Sequence, residues 1–249
     1  MWTQKTSFTA LCERSCWKVE FFCGESAIET STQFPLIELK EILSERSEFI
    51  TPQDYPEKYF QYIGLENIQS QTGDLIDLKE KSGKEIRSRS KIFHSGDILY
   101  GRLRPYLNKV YLVEDKILEG ICSTEIFVLI AKADKVLPHY LRAILASSYV
   151  YQYACRWQTG AALPRLQLSD LLSIKVPLPP LEVQAEFEEF LIEENAYRRN
   201  LVEEISGLSQ RTLDVVVHSL ESGEKPTSSR RFASTVSTGK EVHQTIESA

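Results

Sequence analysis

Residues 93–106, Phe-His-Ser-Gly-Asp-Ile-Leu-Tyr-Gly-Arg-Leu-Arg-Pro-Tyr, combine a turn, a strand and a group of basic side chains in one short stretch. Ser95-Gly96-Asp97 predicts a turn, because glycine and aspartate favour turn conformations. Ile98-Leu99-Tyr100 follows as an apolar run of strand length, rich in β-branched and aromatic residues. The segment therefore predicts a strand that ends in a polar loop.

Apolar runs of the same kind lie on both sides of this segment, so the chain is predicted to be rich in strands up to about residue 130. The runs occupy residues 59–63, 92–93, 110–113 and 126–130. Upstream, four apolar residues recur at helical spacing, which predicts a short amphipathic helix over residues 36–43.

Helical patterns dominate the second half of the chain. Pro138 predicts the start of a helix, because its missing N–H costs little in a first turn, and an apolar stripe continues to Tyr153. Residues 168–172 predict a short helix or turn. Residues 174–176 predict a strand that ends against the proline-rich segment 177–180.

Residues 181–222 predict one long helix, since apolar residues recur at intervals of three, four and seven with no proline. Such a helix would be roughly 60 Å long. A small domain is too narrow to cover it, so a second long helix, from a partner or another copy, is expected to cover the stripe. The stripe shifts at Ile205 and Leu213, which indicates a stutter or a kink near Gly207. The side chains predicted to face that second helix are Phe187, Phe190, Tyr197, Leu201, Ile205 and Leu208.

These patterns predict an α+β fold in which a β-rich core is followed by a long coiled-coil helix. Residues 1–33 are an N-terminal extension without an assigned structure. Residues 34–180 form the globular domain, residues 181–222 the helix, and residues 223–249 a Ser/Thr-rich tail that is predicted to be disordered.

The net charge of −6 hides an uneven distribution of charge. Residues 79–109 contain nine basic and three acidic side chains, whereas residues 181–249 contain seven basic and thirteen acidic ones. A local excess of positive charge is typical of phosphate-binding surfaces. A solvated loop would give the same pattern, so charge alone leaves both interpretations open.

Two loops carry the side chains that best suit DNA. Arginine can donate two hydrogen bonds to a guanine edge or to a phosphate, tyrosine can stack, and a nearby glycine allows close approach of a ligand. Solvated arginines in a tight turn, and a simple helix stop at Thr159-Gly160, are the alternatives. The candidate DNA-binding residues are Lys84, Arg87, Arg89, Arg102, Arg104, Tyr106 and Lys109 in the first loop, and Thr159 and Arg165 in the second.

The sequence offers no catalytic motif. It lacks a phosphate-binding glycine loop, a methyltransferase Asn/Asp-Pro-Pro-aromatic motif and a metal-nuclease pattern, and its four histidines are scattered. Cys12, Cys16 and Cys23 have irregular spacing without a nearby histidine, so free thiols are expected rather than a metal site. No cofactor is expected on this chain. The absence of a secretion signal or a membrane-spanning run predicts a cytoplasmic location.

The order of five motifs resembles the specificity subunits of type I restriction–modification systems. They are residues 62–68 (YIGLENI), 93–106 (FHSGDILYGRLRPY), 123–129 (STEIFVL), 159–160 (TG) and 171–184 (LLSIKVPLPPLEVQ). The resemblance covers about residues 34–222. It implies a mixed α/β target-recognition domain that reads about half of a bipartite DNA site, with a spacer helix that pairs antiparallel and docks methyltransferase subunits. The methyl donor, S-adenosylmethionine, would be held by those partners.

A full specificity subunit usually has two recognition domains and two helices, whereas one of each is recognised here. The resemblance is compatible with a half-subunit that forms a homodimer, with a truncated gene, or with a single-domain relative; the single apolar stripe favours the homodimer. Two functions of other classes stay open. One is a protein-binding adaptor on a coiled-coil stalk, and the other is a restriction nuclease that acts alone.

Overall fold

The structure is a computed structural model, and it describes residues 32–223 and residue 225. The strands within these residues are β1 (Leu36–Glu38), β2 (Leu43–Glu45), β3 (Phe49–Ile50), β4 (Tyr59–Ile63), β5 (Glu80–Ser82), β6 (Ser90–His94), β7 (Ile98–Gly101), β8 (Val110–Leu112), β9 (Glu119–Ser123), β10 (Ile126–Ala131) and β11 (Lys175–Pro177). The α-helices are α1 (Pro138–Ala146), α2 (Ser148–Trp157), α3 (Leu168–Leu172) and α4 (Leu181–Ser222).

Two larger sheets and one small sheet organise these strands. The first is antiparallel with the order β2-β10-β7-β8, and the second has the order β3-β6-β9-β4-β5. In the second sheet β4 and β9 are parallel neighbours. In the small sheet β1 pairs with β11, and these two strands come from opposite ends of the globular domain's sequence. The β-rich core followed by a long helix confirms the predicted fold class.

The four-stranded sheet is buried on both faces. Ile98 and Tyr100 of β7 face a core shared with α1, α2 and α3, whereas Leu99 packs into a second core with residues of the five-stranded sheet. Every residue of β7 is therefore buried. This explains why the strand is a continuous apolar run instead of alternating with polar residues.

A buried ion pair joins the two large sheets. Lys91 of β6 is 6% exposed, and its Nζ lies 2.7 Å from Oε1 of Glu45 on β2. The same ammonium donates to the carbonyl of Ile126 at 2.9 Å. Burial of a lysine requires such partners, so Lys91 is a structural residue within the basic segment.

The predicted helix over residues 36–43 is wrong. The chain there forms β1, a 3-10 turn over Leu39–Glu41 and β2. Strand pairing with β11 and β10 satisfies the backbone, and Leu39 N–H donates to the carbonyl of Ile174 at 3.0 Å. Leu39, Ile42 and Leu43 are buried as the pattern required, whereas Leu36 is 43% exposed, and distant pairing partners override the local helical spacing.

The predicted helix from Pro138 to Tyr153 is instead two helices. Ser147 interrupts it with an extended backbone, and its hydroxyl donates to the carbonyl of Ile144 at 2.6 Å. The break turns α2 onto α3 and toward the turn at Pro105–Leu107, which it contacts. It therefore places α2 behind the loop that follows β7.

Helix α4 has the bounds that the apolar stripe predicts, Leu181–Ser222. The boundary between two compact units lies inside it, between Glu193 and Glu194, so the first turns belong to the globular unit. Most side chains of residues 194–222 are exposed. The N-terminal extension and the tail lie outside the described residues apart from residues 32, 33, 223 and 225. None of the helices in the described part combines the length and the hydrophobicity that a membrane-spanning helix requires.

Candidate nucleic-acid interface

The two loops predicted to bind DNA lie side by side. The β7–β8 loop (residues 102–109) and the α2–α3 loop (residues 158–167) are joined by backbone hydrogen bonds from Arg104 N–H to Pro164 O at 2.7 Å and from Leu166 N–H to Arg102 O at 3.0 Å. Leu103 and Arg165 also form an isolated β-bridge. More than fifty residues separate these partners in sequence, so the fold itself creates this surface.

The α2–α3 loop is closed on itself. Thr159 and Arg165 exchange backbone hydrogen bonds, each 2.8 Å long, and the Thr159 hydroxyl donates to the Arg165 carbonyl at 3.4 Å. Gly160 has a φ of 98°, a conformation that favours glycine. Residues 160–163 between these bonds are exposed. Thr159 therefore shapes the loop with its own side chain.

The β7–β8 loop contains two non-glycine residues in the left-handed region. Arg104 has φ 51° and Asn108 has φ 49°, on either side of a 3-10 turn over Pro105–Leu107. The Asn108 side chain donates to the carbonyl of Ala146 at 2.8 Å and to Oε1 of Gln71 at 3.3 Å. Such a backbone persists only when its surroundings hold it, and these bonds do so.

Gly101 allows a close approach, but the approaching group belongs to the protein. A Cβ on Gly101 would lie 2.9 Å from Cδ2 of Leu65 and 3.3 Å from Cβ of Lys109. The Lys109 Nζ in turn donates to the Leu65 carbonyl at 2.6 Å. Burial lowers the pKa of this lysine below its usual value. Lys109 therefore ties the loop to residues 64–66, at the edge of the candidate surface.

Arg102, Arg104 and Tyr106 differ in how they are held. Arg104 is exposed, and its guanidinium makes no hydrogen bond or ion pair to any described residue. Arg102 is half-buried, lies over the Phe127 ring at 5.2 Å and donates to Gln167 at 3.4 Å. Its Nε is buried without a hydrogen-bond partner among the described residues. Tyr106 is 41% exposed, and its carbonyl accepts weak bonds from helix α2 and from residue 71.

Arg165 forms a two-pronged ion pair with Glu125, in the turn between β9 and β10. Its Nε lies 2.9 Å from Oε2, and its Nη2 lies 2.7 Å from Oε1. The hydrogen bonds from Arg165 lower the pKa of Glu125, and the positive charges of Arg165, Arg102 and Lys91 act in the same direction. The pairing raises the pKa of Arg165. Nothing in the charge pattern of residues 79–109 indicated Glu125, which lies outside that segment.

The remaining three candidate residues have no hydrogen bond, ion pair or ring contact, among the described residues, that connects them to this surface. Lys84 lies 3.9 Å from Glu57, and the Arg89 guanidinium stacks over the Phe49 ring at 4.0 Å. Arg87 is exposed in the β5–β6 connection. The basic segment of the sequence therefore contributes to two different connections, the one between β5 and β6 and the β7–β8 loop.

Two side chains that were not among the candidate DNA-binding residues, Lys81 and Tyr62, extend the surface beyond Lys109. Lys81 of β5 lies over the Tyr62 ring at 4.5 Å and 3.7 Å from Glu66. Burial raises the pKa of Tyr62, and its hydroxyl is hydrogen-bonded to Ser123, in the turn that carries Glu125. A half-buried lysine stacked on an aromatic ring is also a group suited to a phosphate backbone. Within the described residues, no cluster of three or more His, Cys, Asp or Glu side chains could hold a metal ion.

Known proteins that are similar to this chain come from type I restriction enzymes and restriction–modification systems. The type I restriction enzyme EcoDI specificity subunit of Escherichia coli is 29% identical over 140 residues, which are 56% of this chain and 30% of that protein. The HsdS subunit from Thermoanaerobacter tengcongensis is similar in structure, with a TM-score of 0.60 and 26% identity over 76% of this chain and 49% of the other.

Two further structures show the same fold. One comes from work on complex assembly and conformational transition of the type I R-M system, with a TM-score of 0.58 and 26% identity over 75% of this chain and 48% of that one. The type I S subunit from M. genitalium has a TM-score of 0.53 at 12% identity, over 80% of this chain and 48% of that one. The chain thus spans half or less of the length of these relatives.

The family match includes both candidate loops. Residues 29–193, about two thirds of the chain, match the family described as the type I restriction modification DNA specificity domain. The matched region contains the two large sheets, the β7–β8 and α2–α3 loops and the first turns of α4. The chain belongs to the type I restriction modification DNA specificity domain family.

Proposed function

We propose that this chain is the non-catalytic part of a modification complex that recognises a DNA sequence and directs a partner DNA methyltransferase to it. The observation that carries the proposal is the convergence of the β7–β8 and α2–α3 loops. Their hydrogen bonds place Arg102 and Arg104 next to a closed, exposed loop on one surface. Family membership supports recognition of DNA as the role of that surface.

The two arginines suit different parts of DNA recognition. Arg104 is exposed and without a described partner, so it is the better candidate for a phosphate or a guanine edge. Arg102 is held by Phe127 and Gln167, which restrict its orientation. A restricted arginine loses less conformational entropy when it binds, which favours a specific contact. Tyr106 would stack on or position the DNA.

The test is the double substitution Arg102→Ala with Arg104→Ala. Binding to duplexes that the wild-type chain has enriched from a pool with a randomised centre is measured by gel shift, with the chain alone and with its co-purified methyltransferase. We expect affinity to fall by roughly ten-fold or more, since one arginine–guanine contact contributes about 1–3 kcal/mol. Lys175→Ala, on the small β1–β11 sheet, is the matched control and should bind as the wild type does.

The dependence of DNA affinity on salt concentration distinguishes DNA recognition from the two alternative functions, a protein-binding adaptor and a nuclease. For DNA recognition, the logarithm of affinity should fall with the logarithm of salt concentration by about 0.9 for each phosphate contacted. A chain that binds no DNA, even with methyltransferase present, would be an adaptor instead. Magnesium-dependent cleavage by the purified chain would identify a nuclease. Unchanged binding in the double variant would contradict the assignment of these arginines.

The expected partners follow from the same family membership. We propose double-stranded DNA and a DNA methyltransferase subunit as partners, with a restriction subunit as a further one, in the cytoplasm. S-adenosylmethionine would be held by the methyltransferase. One solved relative comes from work on assembly of the type I R-M system, which supports a role within a complex.

The exposed apolar side chains of α4 support a helical partner. Five of the six predicted contact residues are at least 40% exposed: Phe187, Phe190, Tyr197, Leu201 and Ile205. Leu208 is half-buried, and Phe187 also contacts the Tyr140 ring at 5.9 Å. We propose that a second copy of the chain covers this stripe, so that the paired helices form a coiled coil and set the distance between two recognition domains.

A further inference from the structure

The ion pair of Glu125 and Arg165 lies where three loops meet. Arg165 directs Nε and Nη2 at the carboxylate over 2.7–3.0 Å, and its Nη1 donates to the carbonyl of Leu163 at 3.3 Å. All three guanidinium nitrogens are therefore engaged within the chain. Two-pronged arginine–carboxylate pairs are the strongest and most directional of such contacts.

The backbone connects this ion pair directly to the proposed DNA-binding arginines. The Glu125 carbonyl accepts a hydrogen bond from Arg102 N–H at 3.0 Å. Pro164, next to Arg165 in sequence, accepts from Arg104 N–H at 2.7 Å. A displacement of either member of the ion pair therefore moves the backbone of the β7–β8 loop.

Two roles for Arg165 compete with one another. If Arg165 turned to a DNA phosphate, Glu125 would become an unpaired carboxylate, 29% exposed, beside the DNA. Its negative charge would then repel the phosphates that the surface is proposed to bind. If Arg165 stays on Glu125, both charges are neutralised and the loops keep their positions.

We propose that Arg165 is a positioning residue instead of a DNA ligand. Together with Glu125 it forms a clamp that holds the β7–β8 loop against the α2–α3 loop and fixes where Arg102 and Arg104 meet DNA. The proposal rests on the proposed DNA-recognition function for its consequence, but the clamp itself is a property of the free chain.

The first experiment measures backbone hydrogen exchange in the free full-length chain. Glu125→Gln and Arg165→Gln should each raise the exchange rate at the amides of Arg104 and Leu166 by about ten-fold. The reason is that loss of the ion pair should lower the free energy of local opening of these loops, and about 1.4 kcal/mol corresponds to a factor of ten. The control Lys175→Gln should leave these amides unchanged. Unchanged exchange in both clamp variants would overturn the clamp, and no DNA is needed for this result.

The second experiment is a double-substitution cycle on DNA binding. The probe is a duplex pool with a randomised centre, enriched by selection with the wild-type chain. Glu125→Gln and Arg165→Gln should each weaken binding about 5- to 20-fold, and the double variant should be no weaker than the weaker single one. The salt slope should stay that of the wild type, because no phosphate contact is lost.

A DNA-contacting Arg165 gives opposite results. Glu125→Gln would then bind as tightly as the wild type or more tightly, since a repulsive carboxylate is removed. Arg165→Gln would reduce the salt slope by about 0.9. These outcomes would overturn the positioning role. A wild-type chain that enriches no sequence would instead overturn the proposed function, while hydrogen exchange still decides whether the clamp exists.

Discussion

Asp97 belongs to a turn that the sequence predicts, and its buried carboxylate also stabilises the fold. Its carboxylate is 3% exposed and accepts hydrogen bonds from Nε and Nη2 of Arg46 at 2.8 and 3.1 Å. It also accepts from the backbone N–H of His94 at 2.8 Å. The residue thus closes the turn between β6 and β7 and joins it to the chain after β2.

Asp97→Ala is therefore expected to destabilise the fold by about 3 kcal/mol, because it leaves the Arg46 guanidinium and a backbone N–H without their acceptor. Urea unfolding followed by circular dichroism measures this loss. Glu48→Ala is the control: Glu48 also pairs with Arg46, at 3.0 Å, but it is exposed and should cost less than about 1 kcal/mol. Equal losses for the two variants would contradict the buried role of Asp97.

Sequence reasoning succeeds at single residues where local chemistry decides the structure. Ser95-Gly96-Asp97 forms the predicted turn, and Gly96 has the positive φ that its type allows. It fails where a partner lies far along the chain. Glu125 and Arg165 are forty residues apart, and no property of either segment alone indicates their pairing.

At the scale of elements, helix α4 supplies the N-terminal cap of helix α1. Oε1 of the fully buried Gln184 accepts the N–H of Leu137 at 2.9 Å, and its Nε2 donates to the carbonyls of Lys135 and Pro179 at 3.0 and 2.8 Å. One turn later, Glu188 accepts the N–H of His139 at 2.7 Å. The first turn of α1, opened by a proline, is thus completed by another helix.

Gln184→Ala removes three of these hydrogen bonds and leaves buried backbone groups unsatisfied. We expect a loss of about 2–4 kcal/mol in the free energy of unfolding, measured by denaturant titration. The control is Gln210→Ala on the same helix, where the side chain is exposed and, among the described residues, bonds to Asp214. A loss below about 1 kcal/mol for Gln184→Ala would show that water or a shifted backbone replaces the amide.

The elements most accurately predicted are those decided by their own periodicity. Strand β4 and helix α4 have their predicted bounds, because an aromatic run of this length indicates a strand and a long apolar stripe at helical spacing indicates a helix. Residues 36–43 were wrongly predicted because their spacing suits a helix while β10 and β11 offer strand partners. The candidate residues from Lys84 to Lys109 were assigned to one loop, but strands β6 and β7 separate them into the β5–β6 connection and the β7–β8 loop.

At the scale of the whole molecule, the proposed dimer follows from the exposed stripe of α4. Leu201→Lys with Ile205→Lys places two charges where apolar side chains would pair, and should convert a dimer to a monomer. Light scattering after size-exclusion chromatography measures the mass. The control is Asn200→Lys with Glu204→Lys, at exposed polar positions beside the stripe, which should stay dimeric. A wild-type chain of monomeric mass at all concentrations would contradict the proposal.

The closed α2–α3 loop has a consequence for how this protein changes over generations. Its two ends are fixed by the bonds between Thr159 and Arg165, while Ala161, Ala162 and Leu163 at its tip are exposed. New side chains at the tip therefore disturb neither core, so substitutions there are nearly neutral for folding. A lineage, or a combinatorial library, can explore new binding preferences at these three positions while the rest of the molecule is inherited unchanged.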